Sequence, residues 1–122
     1  MLSFAPEEFD AIVSIDAYHY FGTDDLYLGY VLQFLKPGGQ IGFVSPGLAR
    51  EFAGDPPEHL HVGWYSEFAS FHSAQWWRRH WERSGKVDVL SADWLTDGWR
   101  LWAHWNEVCA DTQEYVEPSE NE

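Results

Sequence analysis

An α/β fold built on a parallel sheet is what this sequence predicts, and three observations carry that expectation. Residues 9–15, F-D-A-I-V-S-I, form a short apolar run without strict polar alternation, the habit of a strand covered on both faces. Residues 41–45, I-G-F-V-S, form a second such run. Between them, apolar residues recur at helical spacing and end at Pro37-Gly38-Gly39. Strand, helix, Gly-rich turn and strand in that order make one βαβ unit, whose crossover is almost always right-handed.

The elements follow in turn. After the first run Gly22 and Thr23 break the pattern; Thr23 is an N-cap residue type, and Asp24 and Asp25 put negative charge where the first helical turn favours it. Tyr27, Val31, Phe34 and Leu35 line one helical face, Leu28 and Leu32 widen it, and Lys36 suits the C-terminal end before the Pro-Gly-Gly stop. Residues 46–72 contain Pro46, Gly47, Gly54, Pro56, Pro57 and Gly63 but also Trp64, Tyr65, Phe68 and Phe71. That mixture predicts a long ordered excursion above the sheet, like a cap or lid, because a stretch this aromatic has apolar surface to bury.

Ser73 is read as the cap of a helix running to about Ser84, with Trp77 and Trp81 four apart on one face and Gly85 as its stop. Val87–Ala92 alternates loosely and reads as a third strand. Asp97 or Gly98 opens a last helix through Cys109, with Leu101, Trp105 and Val108 on one side and Trp99, Trp102 and Asn106 on another. From Ala110 to Glu122 the chain is an acidic tail expected to fray. Residues 1–122 are therefore expected to make a single domain, and no internal repeat is visible.

Composition narrows the function classes. Seven basic residues stand against 20 acidic ones, a net charge of −13, and such a field repels phosphate. Neither nucleic acid nor an anionic membrane is an expected partner. The single cysteine, Cys109, allows no intrachain disulfide and no Cys-based zinc site. No stretch approaches the roughly 20 apolar residues a bilayer crossing needs. The first residues carry no basic segment ahead of an apolar run, so no signal peptide is expected and the chain reads as cytoplasmic. His59, His61 and His72, with Glu58 and Glu67, raise the question of a metal. An H-x-H spacing chelates from one side of a strand, but these residues fall in a loop-like stretch, and no metal is expected.

The segment F-D-A-I-V-S-I-D-A-Y-H-Y-F-G, followed by a helix ending L-K-P-G-G-Q-I-G-F-V, resembles the middle of class I S-adenosylmethionine-dependent methyltransferases. The later stretches H-S-A-Q-W-W-R-R-H-W-E-R-S-G and D-W-L-T-D-G-W-R-L-W look like a bacterial small-molecule branch of that family. The likeness spans about residues 8–108. It implies a partial Rossmann-like methyltransferase fold, strands four to six with their helices: the C-terminal half of the domain. S-adenosyl-L-methionine is the implied cofactor and a small molecule the implied methyl acceptor.

In open α/β sheets ligands sit beyond the C-terminal ends of the strands, which brings residues 16–21 to the crevice. The resemblance places Asp16 and Ala17 beside the methionine part of the cofactor, and Tyr18, Tyr20 and Phe21 towards the acceptor. A neutral His19 there has the chemistry to take the acceptor's proton, with the reactants held in line. The same residue also suits a hydrogen bond within the loop, and Asp16 equally suits a cap of the loop that follows. Trp64 and Tyr65 are lid candidates over an acceptor pocket. Arg78 and Arg79 read as solvated helix-face charges.

The sequence departs from the family in two respects. The Gly-rich loop after the family's first strand and the acidic residue after its second have no counterpart here. Gly38-Gly39 ends a helix and enters a strand, the reverse of a nucleotide-binding turn. The final antiparallel strand of the family fold is missing too, which leaves open sheet edges. Hence the expectation of a homodimer, or of a partner that supplies the missing half. The alternative is a non-catalytic, methyltransferase-like interaction or dimerisation module. A nicotinamide-dependent oxidoreductase is excluded by the lack of any G-x-G-x-x-G leaving a strand.

Overall fold

Side-chain alternation along two strands decides where the core lies. The computed structural model describes residues 3–52, 58 and 69–113. They belong to two compact units, Met1–Ala92 and Asp93–Glu122. In the first unit β1 (Phe9–Ile15) pairs in parallel with β2 (Leu35–Val44), with Ile12 opposite Ile41 and Ile15 opposite Val44. Helices α1 (Tyr18–Phe21) and α2 (Tyr27–Leu32) connect the two strands, and α3 (Ala74–Ser84) follows β2. The fold class is thus mixed α/β around a parallel pair.

One face of the pair presents Ile12, Ile41 and Phe43, which pack against Leu28 and Val31 of α2 and Trp77 and Trp81 of α3. Tyr18 completes this cluster: its ring stacks on Phe43 at 4.7 Å and meets Trp81 edge-on at 5.4 Å. Such offset and edge-to-face pairs are the geometries that ring quadrupoles favour. Among the described residues nothing covers the opposite face. Val13 is 74% and Ile15 75% exposed, and Val44 is exposed beside them. The expectation of strands covered on both faces is corrected here, because the described helices that touch the sheet, α2 and α3, lie on the same side.

α3 is bounded as its sequence dictates. The Ser73 hydroxyl accepts from the Trp76 N–H at 3.1 Å, and Gly85 closes the helix in the left-handed region at φ 69°. Glu51 reinforces the start: one carboxylate oxygen accepts from the Ser73 N–H at 2.6 Å, and the other lies 3.2 Å from His72 Nδ1. Negative charge is favoured at that end of the helix. Ser73→Ala removes the cap and is expected to cost about 1 kcal/mol, read as a lower urea midpoint at unchanged slope.

Three sequence expectations are corrected. The helix foreseen from Thr23 to Lys36 is confined to Tyr27–Leu32, and its N-terminal hydrogen bonds go to Asp24 rather than Thr23. Asp24 Oδ1 accepts from the N–H groups of Leu26 and Tyr27, each at 2.8 Å, and these bonds hold its carboxyl below the ordinary range. The helix ends early because the chain ahead of β1 competes for residues 33 and 34. Glu7 N–H donates to the Gln33 carbonyl at 2.8 Å and Phe9 N–H to that of Phe34 at 2.9 Å.

The Pro-Gly-Gly segment, in consequence, does not end a helix. It is an irregularity inside β2, where Asp10 faces the four residues Lys36–Gly39, between the pairs Phe9 with Leu35 and Ala11 with Gln40. Third, Val87–Ala92 keeps the in–out alternation, and Val87 and Val89 pack on the core. It joins no ladder, so among the described residues the sheet has two strands and not three. Alternation is a property of side chains, whereas a strand also needs a backbone partner.

In the second unit α4 (Gly98–Gln113) starts where the sequence placed it but runs past Cys109 into the stretch expected to fray, and it leaves Trp99, Leu101 and Trp105 exposed. The Arg100 guanidinium lies over the Trp99 ring at 5.1 Å. Residues 114–122, most of the expected acidic tail, and most of the 46–72 excursion lie outside the described residues.

Candidate functional site

β1 terminates at Ile15 because the next residue leaves the extended region. Asp16 N–H still donates to the Val44 carbonyl at 2.7 Å, but Asp16 itself sits at φ 56°, the left-handed conformation that aspartate tolerates better than most residues. The chain turns there into the single-turn helix α1. The residues expected to form the site therefore do lie together, at the C-terminal end of β1. They do not point in one direction.

Ala17, Tyr18 and Phe21 line a partly open cavity of about 210 Å³. Its floor is the covered face of the sheet, Ile12 and Ser14 from β1 with Ile41 and Gly42 from β2; Tyr27 and Val31 of α2 form its wall. Tyr18 also belongs to the core. Its buried hydroxyl makes no hydrogen bond, and the Trp81 indole lies beside it. Burial drives that hydroxyl far above the ordinary tyrosine range, so it stays protonated. Phe21 is largely exposed and stacks on Tyr27 at 5.6 Å. Tyr20 is exposed as well.

Gly22 is required where α1 ends: a Cβ there would run into the Tyr18 ring. His19 faces away from the cavity. It is 0% exposed, with its ring 4.0 Å from that of Tyr20 and 5.6 Å from that of Phe71, and neither ring nitrogen makes a hydrogen bond. Burial lowers its pKa from the ordinary 6.5, and the nearby Asp16 carboxylate offsets part of that shift. The imidazole is therefore held neutral, the form a general base needs, although an acceptor would reach it only if α1 moved.

Sequence reasoning missed a second histidine. His80 of α3 is buried, and its Nε2–H donates to the carbonyls of Gly22 at 2.9 Å and Asp24 at 2.8 Å. Arg83 donates to its Nδ1 at 3.2 Å and to the Asp25 carboxylate at 2.8 Å. These bonds fix the tautomer and clamp the turn between α1 and α2, and so the cavity wall. His80→Ala leaves both carbonyls without their donor and is expected to cost about 1–3 kcal/mol, measured by urea unfolding. The signal in the sequence was one of spacing: His80 falls between Trp77 and Trp81 on the buried face of α3. Ser14 had a signal as well, as the polar member of an apolar strand on its inward side.

Of the remaining expected site residues, Trp64 and Tyr65 lie outside the described residues, as do His59 and His61. Among the described residues no group of three or more His, Cys, Asp or Glu side chains converges to hold a metal. His72 instead stacks on Trp76 at 3.6 Å, with ring planes 9° apart. No helix of the described residues is long and apolar enough to cross a membrane.

The described residues do not build a cradle for S-adenosyl-L-methionine. Asp16 and Ala17 stand at the expected place, but the one Gly-rich turn is at the opposite end of β2. A Cβ on Gly39 would lie 2.7 Å from the Asp10 carbonyl oxygen, whereas one on Gly38, at φ 78°, would meet nothing within 4 Å. Comparison with family models, with curated proteins and with solved structures returned no match.

Proposed function

We propose that this chain is the acceptor-facing half of an S-adenosylmethionine-dependent methyltransferase of small molecules, acting in the cytoplasm. A second copy covers the open sheet, or a partner chain supplies the missing half together with its cofactor-holding elements. The observation that supports this reading is the half-covered parallel pair. Parallel strands are found buried on both faces, and here Val13, Ile15 and Val44 stand exposed on one of them. The paired segments are those in which the sequence resembles the family. In this reading Asp16 and Ala17 border the cofactor, the cavity beside Tyr18 and Phe21 receives the acceptor, and His19 is the base.

A non-catalytic interaction module is the second reading. It is favoured by the full burial of His19. One pair of measurements separates the two. Sedimentation over a wide concentration range is expected to show association, and calorimetric titration of the associated form with S-adenosylhomocysteine is expected to release heat with a thermal shift. Association without heat or shift leaves the interaction module. A monodisperse monomer at high concentration removes self-association from both readings and leaves only a partner chain.

A further inference from the structure

We infer that the cavity between β1, β2 and α2 binds an uncharged, single-ring alcohol or phenol. This inference rests on the transfer reading only in calling that molecule the acceptor; the binding itself follows from the lining. The volume of about 210 Å³ exceeds the roughly 150 Å³ of an engineered apolar cavity that holds benzene. It admits one six-membered ring with a short substituent.

The lining holds no ionisable group except two tyrosines, and burial keeps the Tyr18 hydroxyl protonated. A charged ligand would lose its hydration there without gaining a counter-ion. An anion would in addition meet a chain carrying a net charge of −13. Polarity enters from Ser14, whose hydroxyl stands among Ile12, Ile41 and Val31 with no hydrogen bond to a described residue. One hydroxyl facing apolar walls matches a ligand that is apolar over its ring and carries a single polar group.

The ring faces of Tyr18, Phe21 and Tyr27 favour a flat partner over a branched aliphatic one. The turn leading into α2, which carries Tyr27 and Val31, is tied to α3 through the His80 bonds, so that wall is in place before a ligand arrives.

Ligand-observed saturation-transfer NMR on the full chain tests this with benzyl alcohol, benzoate and benzylammonium as probes. Benzyl alcohol is expected to bind saturably, and the two ions at least tenfold more weakly. Ala17→Leu, which fills the cavity, is expected to abolish the signal, with the one-dimensional spectrum of the protein reporting that it still folds. Ser14→Ala disturbs packing less and is expected to weaken binding by roughly three- to tenfold, the worth of one neutral hydrogen bond.

Equal binding of the ions overturns the inference, as does a folded Ala17→Leu that retains full affinity. If Ala17→Leu does not fold, Ser14→Ala decides, and unchanged affinity there overturns it. Benzyl alcohol binding without any response to S-adenosylhomocysteine keeps this site and removes the transfer reading. The converse result removes this inference alone.

Discussion

Trp81→Ala is expected to remove about 3–5 kcal/mol of stability, the usual cost of emptying a buried aromatic site. Trp81 is 9% exposed and lies against Tyr18 and Phe43 at ring separations of 5.4 Å each. It is where the third helix meets both the sheet and the first turn after β1. Its indole N–H has no partner, so no hydrogen bond is lost and the whole cost is lost burial and an unfilled hole. In a domain whose total stability is of order 5–15 kcal/mol, that is a large share. Urea denaturation followed by far-ultraviolet circular dichroism measures it, with Trp81→Phe expected to recover about half. A cost below about 1 kcal/mol would show that this cluster is not the core.

His19→Leu is expected to act in the opposite direction. A fully buried imidazole with two unpaired nitrogens carries a desolvation cost of about 1–3 kcal/mol, and a leucine of similar size does not. The variant should therefore be more stable at neutral pH. Its pH dependence should change as well. The folded-state pKa of His19 lies below the ordinary 6.5, so the unfolded chain takes up the proton first as pH falls. The contribution of the neutral ring is complete above pH 6.5 and is lost progressively below it, levelling once the lowered folded-state value is passed. The difference between wild type and His19→Leu across pH 4–8 isolates this contribution from those of the other histidines. Parallel curves, or a variant less stable at pH 7, would sink the assignment. If His19 is the base of a methyl transfer, the same variant gains stability and loses turnover, a split that a packing role alone cannot produce.

How much of this was legible in the residues depended on how local each decision was. α3 is the clearest case: Ser73, the paired tryptophans and Gly85 carry its start, its buried face and its end within one short segment. β1 and the core of β2 were equally readable, because short apolar runs between breakers have few other uses. The candidate site was half legible. The position after β1 was foreseen, and Ala17, Tyr18 and Phe21 do share a cavity. His19 and Tyr18 alternate in direction on one turn of helix, and nothing in their spacing tells which side holds the cavity.

Two further features were hidden in contacts distant along the chain. The clamp by His80 joins residues more than 50 positions apart, through backbone carbonyls that any sequence would offer. The early end of α2 depends on Glu7 and Phe9 reaching the carbonyls of Gln33 and Phe34. A helical stripe in Phe34 and Leu35 cannot show that another strand will claim their backbone.

What the sequence by itself determined, then, is β1, the core of β2, the parallel βαβ unit they make, and the start, buried face and end of α3. Each rests on hydrogen bonds and steric limits within a few residues. The tertiary structure alone decided that, among the described residues, Val87–Ala92 has no ladder and one sheet face stays uncovered, that Lys36–Gly39 bulges inside a strand and that His19 is sealed from water. These outcomes turn on which distant group arrives to pair or to cover, and a backbone donor or an apolar face is chemically the same before its partner is in place.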